Sequence, residues 1–225
     1  MYDVNYFAHN WLIKRALNSA LKPKLETLRG SVLDLGCGER PFEQNVQDSG
    51  CDYTGVDWSN SLHDTNADII ADLNKPLPFC TNSVNNIICI EVMEHLRQPE
   101  LLLAESIRVL KPGGRVVISV PFQWWVHEAP WDYFRYTRYG LQHLLETAGF
   151  TNVSIAPTTG FWSMWILKLN YQSLRLVRGG FLTKMLIRGF LTPFWFLNQL
   201  LCAQLDKVWP EENETAGYVA TAQKP

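Results

Sequence analysis

Cysteine is scarce and badly placed for cross-linking. Five residues, at 37, 51, 80, 89 and 202, give an odd number with no C-x-x-C pair. That excludes a zinc ribbon or a disulfide framework, predicts no metal ligand set, and suits a reducing compartment, the cytoplasm. A basic surplus is also missing. The formal charge of −2 and pI near 6.2 argue against a general nucleic-acid binder. The opening MYDVNYFAHNW has neither a basic start nor an apolar core, so no secretory signal is expected there. Internal repeats and low-complexity tracts are absent as well. With 47% hydrophobic and 19% charged residues in 225, the chain can bury a core without staples.

What is present is an alternation of elements. Residues 5–28 predict an apolar-periodic helix (Phe7, Trp11, Leu12, Leu17, Leu21) broken at Pro23. Strands are expected at 31–35, 53–58, 68–72, 84–90, 115–120, 152–156 and 217–222. Helices are expected with Pro41 in the first turn of the one that follows the glycine turn, over 99–110 closed by Lys111-Pro-Gly-Gly, and from the cap Thr137 to Ala148. Strands alternating with helices imply an α/β fold, a doubly wound parallel sheet covered on both faces.

The segment richest in chemistry is Val32-Leu-Asp-Leu-Gly-Cys-Gly-Glu-Arg-Pro-Phe42. A strand ending in Gly36-x-Gly38 brings a ligand against bare backbone, and the next helix offers free N–H groups. Asp34 beside that turn would repel a pyrophosphate and attract an ammonium. Asp57, 23 residues later at the end of the second strand, can accept both hydroxyls of a ribose. An ordinary strand-to-helix turn is the plainer reading of Gly-x-Gly alone. Asp34, Asp57 and Asp72 together weigh against it.

VLDLGCGERPF, GVDW, ADLNKPLPF, IEVMEHL and LKPGGRVVISVP, in that order, resemble the class I (seven-stranded) S-adenosylmethionine-dependent methyltransferases, in particular those acting on small molecules and sugars. The resemblance covers residues 31–156 and the final strand. It implies a Rossmann-like methyltransferase fold with strand order 3-2-1-4-5-7-6, strand seven antiparallel, and S-adenosyl-L-methionine as cofactor. It further implies that Asp34, Gly36 and Gly38 lie against the methionine end, that Asp57 holds the ribose, and that Asp72 and Leu73 border the adenine. Ile90 and Glu91 would border the methionine moiety. One departure stands out: Arg40-Pro41 occupies the place of a third glycine. Glu94 and His95 are open to two readings, catalysis or bracing of the following loop.

Residues 121–136 gather His127, Glu128, Asp132 and Arg135 among seven aromatics. In an open parallel sheet, ligands bind beyond the carboxyl ends of the strands, where this loop begins. Aromatic faces and hydrogen-bonding groups suit a sugar ring. On that reading His127 is the base and Glu128 or Asp132 orients it. The alternative is a lid over the core in which His127 and Glu128 form a buried pair.

Residues 161–209 carry six basic residues and one acid, a net charge of +5 in a chain of net charge −2. Gly189–Leu205 is uncharged but holds Pro193, Asn198, Gln199 and Gln204, which opposes a membrane span. Three readings stay open: a helix lying on an anionic membrane surface, a lid over the acceptor pocket, and a homodimer face. The expected organisation is a single domain: a helical cap (1–30), a cofactor-binding core (31–156), a helical insertion (157–213) and a last strand (214–225). The expected function is methyl transfer to a small-molecule acceptor, foremost a hydroxyl of a sugar or lipid-linked glycan precursor, with no nucleic-acid partner. Localisation is expected in the cytoplasm, extending to the inner face of the membrane. The rivals are a catalytically silent cofactor-binding partner subunit and a nicotinamide-dependent oxidoreductase. The latter is weakened by the missing third glycine and by Asp34.

Overall fold

In the computed structural model, which describes residues 1–59 and 65–225, seven strands form one sheet. They are β1 (Ser31–Leu35), β2 (Asp52–Asp57), β3 (Ile69–Ile70), β4 (Val84–Ile90), β5 (Leu110–Pro121), β6 (Thr151–Pro157) and β7 (Gly217–Gln223). Their order is β3-β2-β1-β4-β5-β7-β6. The pairs β1–β2, β1–β4, β2–β3 and β4–β5 are parallel, and β5–β7 is antiparallel. The helices are α1 (Trp11–Leu25), α2 (Glu43–Asp48), α3 (Pro99–Val109), α4 (Arg138–Thr147), α5 (Phe161–Leu174) and α6 (Phe181–Val208). Both the strand order and the antiparallel β7 match what the motifs implied.

The chain divides into two compact units. One comprises Met1, residues 21–156 and 217–225; the other comprises 2–20 and 157–216. In the first, the central strands are buried residue after residue, as Ile87, Ile88 and Cys89 show, because a parallel sheet is covered on both faces. Helix α4 starts where Thr137 Oγ1 accepts the Gly140 N–H at 3.0 Å, a side-chain N-cap, and buries Leu141 and Leu145. All five cysteines are free.

Four boundaries differ from the sequence expectation. Helix α1 begins at Trp11 and runs through Pro23, which lies within its last turn. A proline there removes one hydrogen bond just before the helix ends, while Leu21 and Leu25, on the same face, are fully buried. Pro41 precedes Phe42, the N-cap of α2, and so lies outside that helix. β3 has only two residues. Lys111-Pro-Gly-Gly does not close α3 but lies within β5, where Leu110 pairs with Val84 and, after a register shift, Arg115 pairs with Asn86. Gly113 N–H donates to Lys224 O and Lys224 N–H to Gly114 O, which ties this bulged stretch down.

The second unit is helical. Asp206 of α6, the one acid of residues 161–209, accepts the N–H groups of Trp162 (2.9 Å), Ser163 (3.1 Å) and Gly160 (3.3 Å). It thereby caps the start of α5 from a distant position, with its negative charge at the positive end of that helix. Gln199 is fully buried, accepting from Leu12 N–H and donating to Ala8 O and Trp195 O, and Asn170 and Asn198 exchange hydrogen bonds. The amides of this segment therefore fasten its interior. Trp195 is buried, its indole N–H bonded to Ser173 Oγ at 2.8 Å. Among the described residues, no helix is long and apolar enough to cross a membrane.

Candidate active site

The glycine turn follows β1. Gly36 has φ +80° and Gly38 φ +50°. A Cβ on Gly36 would lie 2.3 Å from Val92 Cγ2, whereas one on Gly38 meets nothing within 4 Å. Gly36 is thus required by packing and backbone conformation. Gly38 is the open position where a ligand can approach the chain. Arg40, in place of the third glycine, itself adopts φ +59°. Its guanidinium spans Asp68 (3.0 and 2.9 Å) and Glu43 (3.0 Å), so side-chain bonds hold a conformation that glycine would adopt freely.

Three acids ring this turn. Asp34 is buried, accepts the Tyr53 hydroxyl at 2.6 Å, and is pushed up to about 7, mainly by burial, with the Asp57 charge adding to it. Asp57 accepts Gly38 N–H on Oδ2 (2.7 Å) and Trp58 N–H on Oδ1 (2.8 Å). Each oxygen keeps a further lone pair for a hydroxyl. Glu91 directly follows β4, with φ +56°, and is raised by burial. The Ser119 hydroxyl donates to its Oε1 at 2.7 Å. Ile90 is buried beside it, in register with Ser119. Further along, Asp72 accepts the backbone and side-chain N–H of Asn74 and faces Lys75 at 3.5 Å, which together outweigh burial and hold it low. The Leu73 side chain belongs to the core cluster, leaving only its backbone for a ligand. Buried acids around an open glycine turn fit a ligand carrying a sulfonium and an ammonium group.

A second cluster lies on the loops after β4 and β5. His127 Nδ1 is 3.4 Å from Asp132 Oδ2 and 3.2 Å from Arg135 Nη2. Asp132 is held low because Arg135, bidentate at 2.6 Å to each oxygen, and the His127 N–H outweigh its burial. Burial lowers the His127 pKa, keeping the imidazole neutral. Asp132 holds the His127 backbone N–H, and Arg135, which Asp132 grips, donates to the ring at Nδ1, so the Asp132–Arg135 pair orients His127.

The 3-10 turn Met93–His95 brings in two residues that the sequence left between catalysis and bracing. Glu94 is fully buried and raised well above the ordinary carboxylate value by burial, with the Glu91 charge next in weight. His95 Nε2 stands 3.6 Å from Glu94 Oε1 and 3.7 Å from Glu128 Oε2, and His127 Nε2 stands 4.0 Å from Glu94 Oε1. The two imidazoles meet edge to face at 4.9 Å. His127 and Glu128 are not an isolated pair; they are half of a four-residue cluster. Sequence spacing hid this, since 32 residues separate His95 from His127 and only the parallel pairing of β4 with β5 brings their loops together.

Residues 9–155 match the methyltransferase-domain family. The chain belongs to that family. With its strand order, this places it among the class I S-adenosylmethionine-dependent methyltransferases. The ubiquinone biosynthesis O-methyltransferase of Pseudomonas aeruginosa (strain UCBPP-PA14) is 25% identical over 133 residues, 53% of this chain and 52% of that protein. The protein of the same name from Dechloromonas aromatica (strain RCB) is 26% identical over the same shares. The chain thus spans about half the length of the curated relatives it matches. Among solved structures, a methyltransferase from Archaeoglobus fulgidus has a TM-score of 0.61 at 17% identity, covering 96% of this chain and 95% of that one. Haemonchus contortus phosphoethanolamine N-methyltransferase 2, in complex with S-adenosyl-L-methionine, has a TM-score of 0.60 at 18% identity, covering 98% and 56%. At these identities the likeness is one of fold.

Proposed function

We propose that the chain transfers a methyl group from S-adenosylmethionine to a hydroxyl oxygen of a small-molecule acceptor. The observation that carries this is the convergence of His127, His95, Glu94 and Glu128 in the same compact unit as the glycine turn. The cofactor supplies a methyl group on a sulfonium, open to in-line displacement. Asp34 and the Gly38 backbone would hold its methionine end, Asp57 its ribose, and Asp72 with the Leu73 backbone its adenine. Ile90 and Glu91 border the methionine end. To act as the base, His127 must carry its proton on Nδ1, with Asp132 Oδ2 (3.4 Å) as partner in place of the Arg135 donor at 3.2 Å; Nε2 then presents a lone pair that can take the hydroxyl proton. Positioning supplies the remainder of the acceleration. The curated relatives, named as O-methyltransferases, favour an oxygen acceptor.

For the acceptor itself, a sugar, or a glycan precursor on a lipid, fits the loop that follows β5. Trp124 and Trp125 stack at 4.2 Å, and Trp131 meets Trp58 edge to face, next to the charged cluster. The lipid-linked form draws on α6. Leu182, Leu186, Phe190, Leu197 and Leu201 follow helical spacing and are all exposed, and Lys184 and Arg188 are exposed on the same helix. An apolar stripe with cations suits an anionic membrane surface at the cytoplasmic side. A labelled-methyl screen over sugar nucleotides, lipid-linked sugars and phenols tests the assignment. Label in a sugar-containing product supports it. Label only in phenols keeps O-methylation and discards the sugar. Cofactor binding with no transfer to any class would favour a silent partner subunit.

A further inference from the structure

Glu94 poses a problem of hydrogen bonding. Its side chain is fully buried, and among the described residues neither carboxylate oxygen accepts a hydrogen bond from another residue. Buried polar groups are normally satisfied, and carboxylates most of all. Its neighbours are two imidazole nitrogens, His95 Nε2 at 3.6 Å and His127 Nε2 at 4.0 Å. These separations exceed hydrogen-bonding distance. They are close to the spacing of ligands around a shared ion: two atoms each about 2.1 Å from a tetrahedral metal lie about 3.4 Å apart. One ligand atom from each of Glu94, His95 and His127 falls within 4.8 Å of the others, so closing the set takes a few tenths of an ångström between Glu94 and each imidazole and up to about 1.4 Å in the widest pair.

The surroundings prepare the ligands. His95 Nδ1 lies 2.9 Å from the Trp131 carbonyl, which can only accept, so the proton sits on Nδ1 and the Nε2 lone pair faces Glu94. Ligation through His127 Nε2 puts the ring proton on Nδ1, where Asp132 Oδ2 at 3.4 Å is the acceptor once the Arg135 donor at 3.2 Å gives way. The Glu94 carbonyl accepts the N–H groups of Tyr133 and Phe134, and Tyr136 Oη donates to the Met93 carbonyl, which fixes the turn bearing two of the ligands.

We propose that Glu94, His95 and His127 form a binding site for a divalent transition-metal ion of the zinc type, with Glu128, 3.7 Å from His95 Nε2, beside the open position. Two imidazoles and a carboxylate with a free position are a ligand set that zinc accepts in catalytic sites. The inference deepens the acceptor-site reading and rests on it only for the ion's role, which would be to polarise the acceptor hydroxyl. Loaded, His127 is a ligand rather than the base.

The test uses the full chain, stripped with chelator, dialysed against Zn²⁺ and analysed for metal, with Co²⁺ titrated in parallel and followed by its visible absorption. One ion per chain is expected. Glu94→Gln and His127→Gln should each weaken binding by about 100-fold, and His143→Ala, an exposed histidine outside the cluster, should not change it. Binding of S-adenosylhomocysteine confirms that each variant is folded, and His127→Gln serves if Glu94→Gln is not. Sub-stoichiometric metal, or unchanged affinity in a folded variant, overturns the proposal. Methyl transfer that persists in chelator and is lost in the His127 variant leaves the general base standing and removes the metal. Stoichiometric metal lost in the variants, without transfer to any acceptor, keeps the metal site and removes the proposed function.

Discussion

The Tyr53 hydroxyl donates to Asp34 Oδ2 at 2.6 Å, yet burial still pushes that acid up to about 7. A carboxyl raised above its ordinary value favours the folded state while protonated. This contribution is complete below about pH 4 and is lost as the pH rises toward 7. A cationic ligand reverses the preference because it is attracted to the ionised form. Affinity for S-adenosylmethionine should therefore rise with pH over this window, and Asp34→Asn should flatten the rise. Calorimetric titrations of both proteins at about pH 5.5 and 8 decide it; parallel pH profiles would remove Asp34 from the cation's neighbourhood.

Gly36 and Val92 form a steric pair. A methyl group at 36 would collide with Val92 at 2.3 Å and would also sit at φ +80°. Overpacking and left-handed backbone together should destabilise Gly36→Ala by about 2–4 kcal/mol. Adding Val92→Ala removes the collision but not the backbone strain, so denaturant unfolding of the double variant should show partial recovery. Strict additivity would mean that Val92 is not what excludes the methyl group.

Asp57 accepts from the Gly38 and Trp58 N–H groups, so its removal should disturb the turn as well as the ligand. Asp57→Ala is expected to weaken S-adenosylhomocysteine binding by about 1.5–3 kcal/mol and to lower the melting temperature. Calorimetry showing full affinity in a folded variant would place the ribose elsewhere.

His127→Ala should lower turnover by about 10²–10⁴ with cofactor affinity nearly intact, the signature of losing proton transfer without losing binding. Because burial lowers its pKa, activity should follow deprotonation of His127 at acidic pH. Activity abolished by His95→Ala but not by His127→Ala would exchange the roles of the two imidazoles.

The central strands and the glycine turn were legible because their signal is local. A largely apolar run such as Val84–Ile90 permits few alternatives, and Gly36-x-Gly38 directly after the Ser31–Leu35 run marks a turn. The Lys111-Pro-Gly-Gly stretch misled because the composition of a helix stop is also that of a bulged strand entry, and only pairing with β4 and the Lys224 backbone separates them. Glu94 was illegible for a related reason. Nothing within a few positions shows that its carboxylate is buried without a partner or that His127 faces it. The amides of α6 told against a span but gave no sign of where they bond.

Of the aromatic residues of the insertion, Trp195 is buried and cannot enter a membrane, which leaves the exposed start of α6. Phe181, Leu182, Met185, Leu186 and Phe190 make the first ten residues of α6 an exposed apolar surface with Lys184 and Arg188 on it. Each basic residue near an anionic leaflet contributes roughly 1 kcal/mol, and that share fades with salt, whereas apolar insertion does not. Flotation with phosphatidylserine-containing vesicles should therefore capture the chain at low salt, with less captured as salt rises. Lys184→Glu/Arg188→Glu should lower capture at low salt and flatten its dependence on salt, and Leu186→Glu should release the protein even at low salt. No capture at low salt would turn the stripe into an interface between copies of the chain, visible as a dimer in sedimentation that Leu186→Glu dissociates. The lipid-linked acceptor would then lose its support, while methyl transfer to a soluble hydroxyl would keep its own.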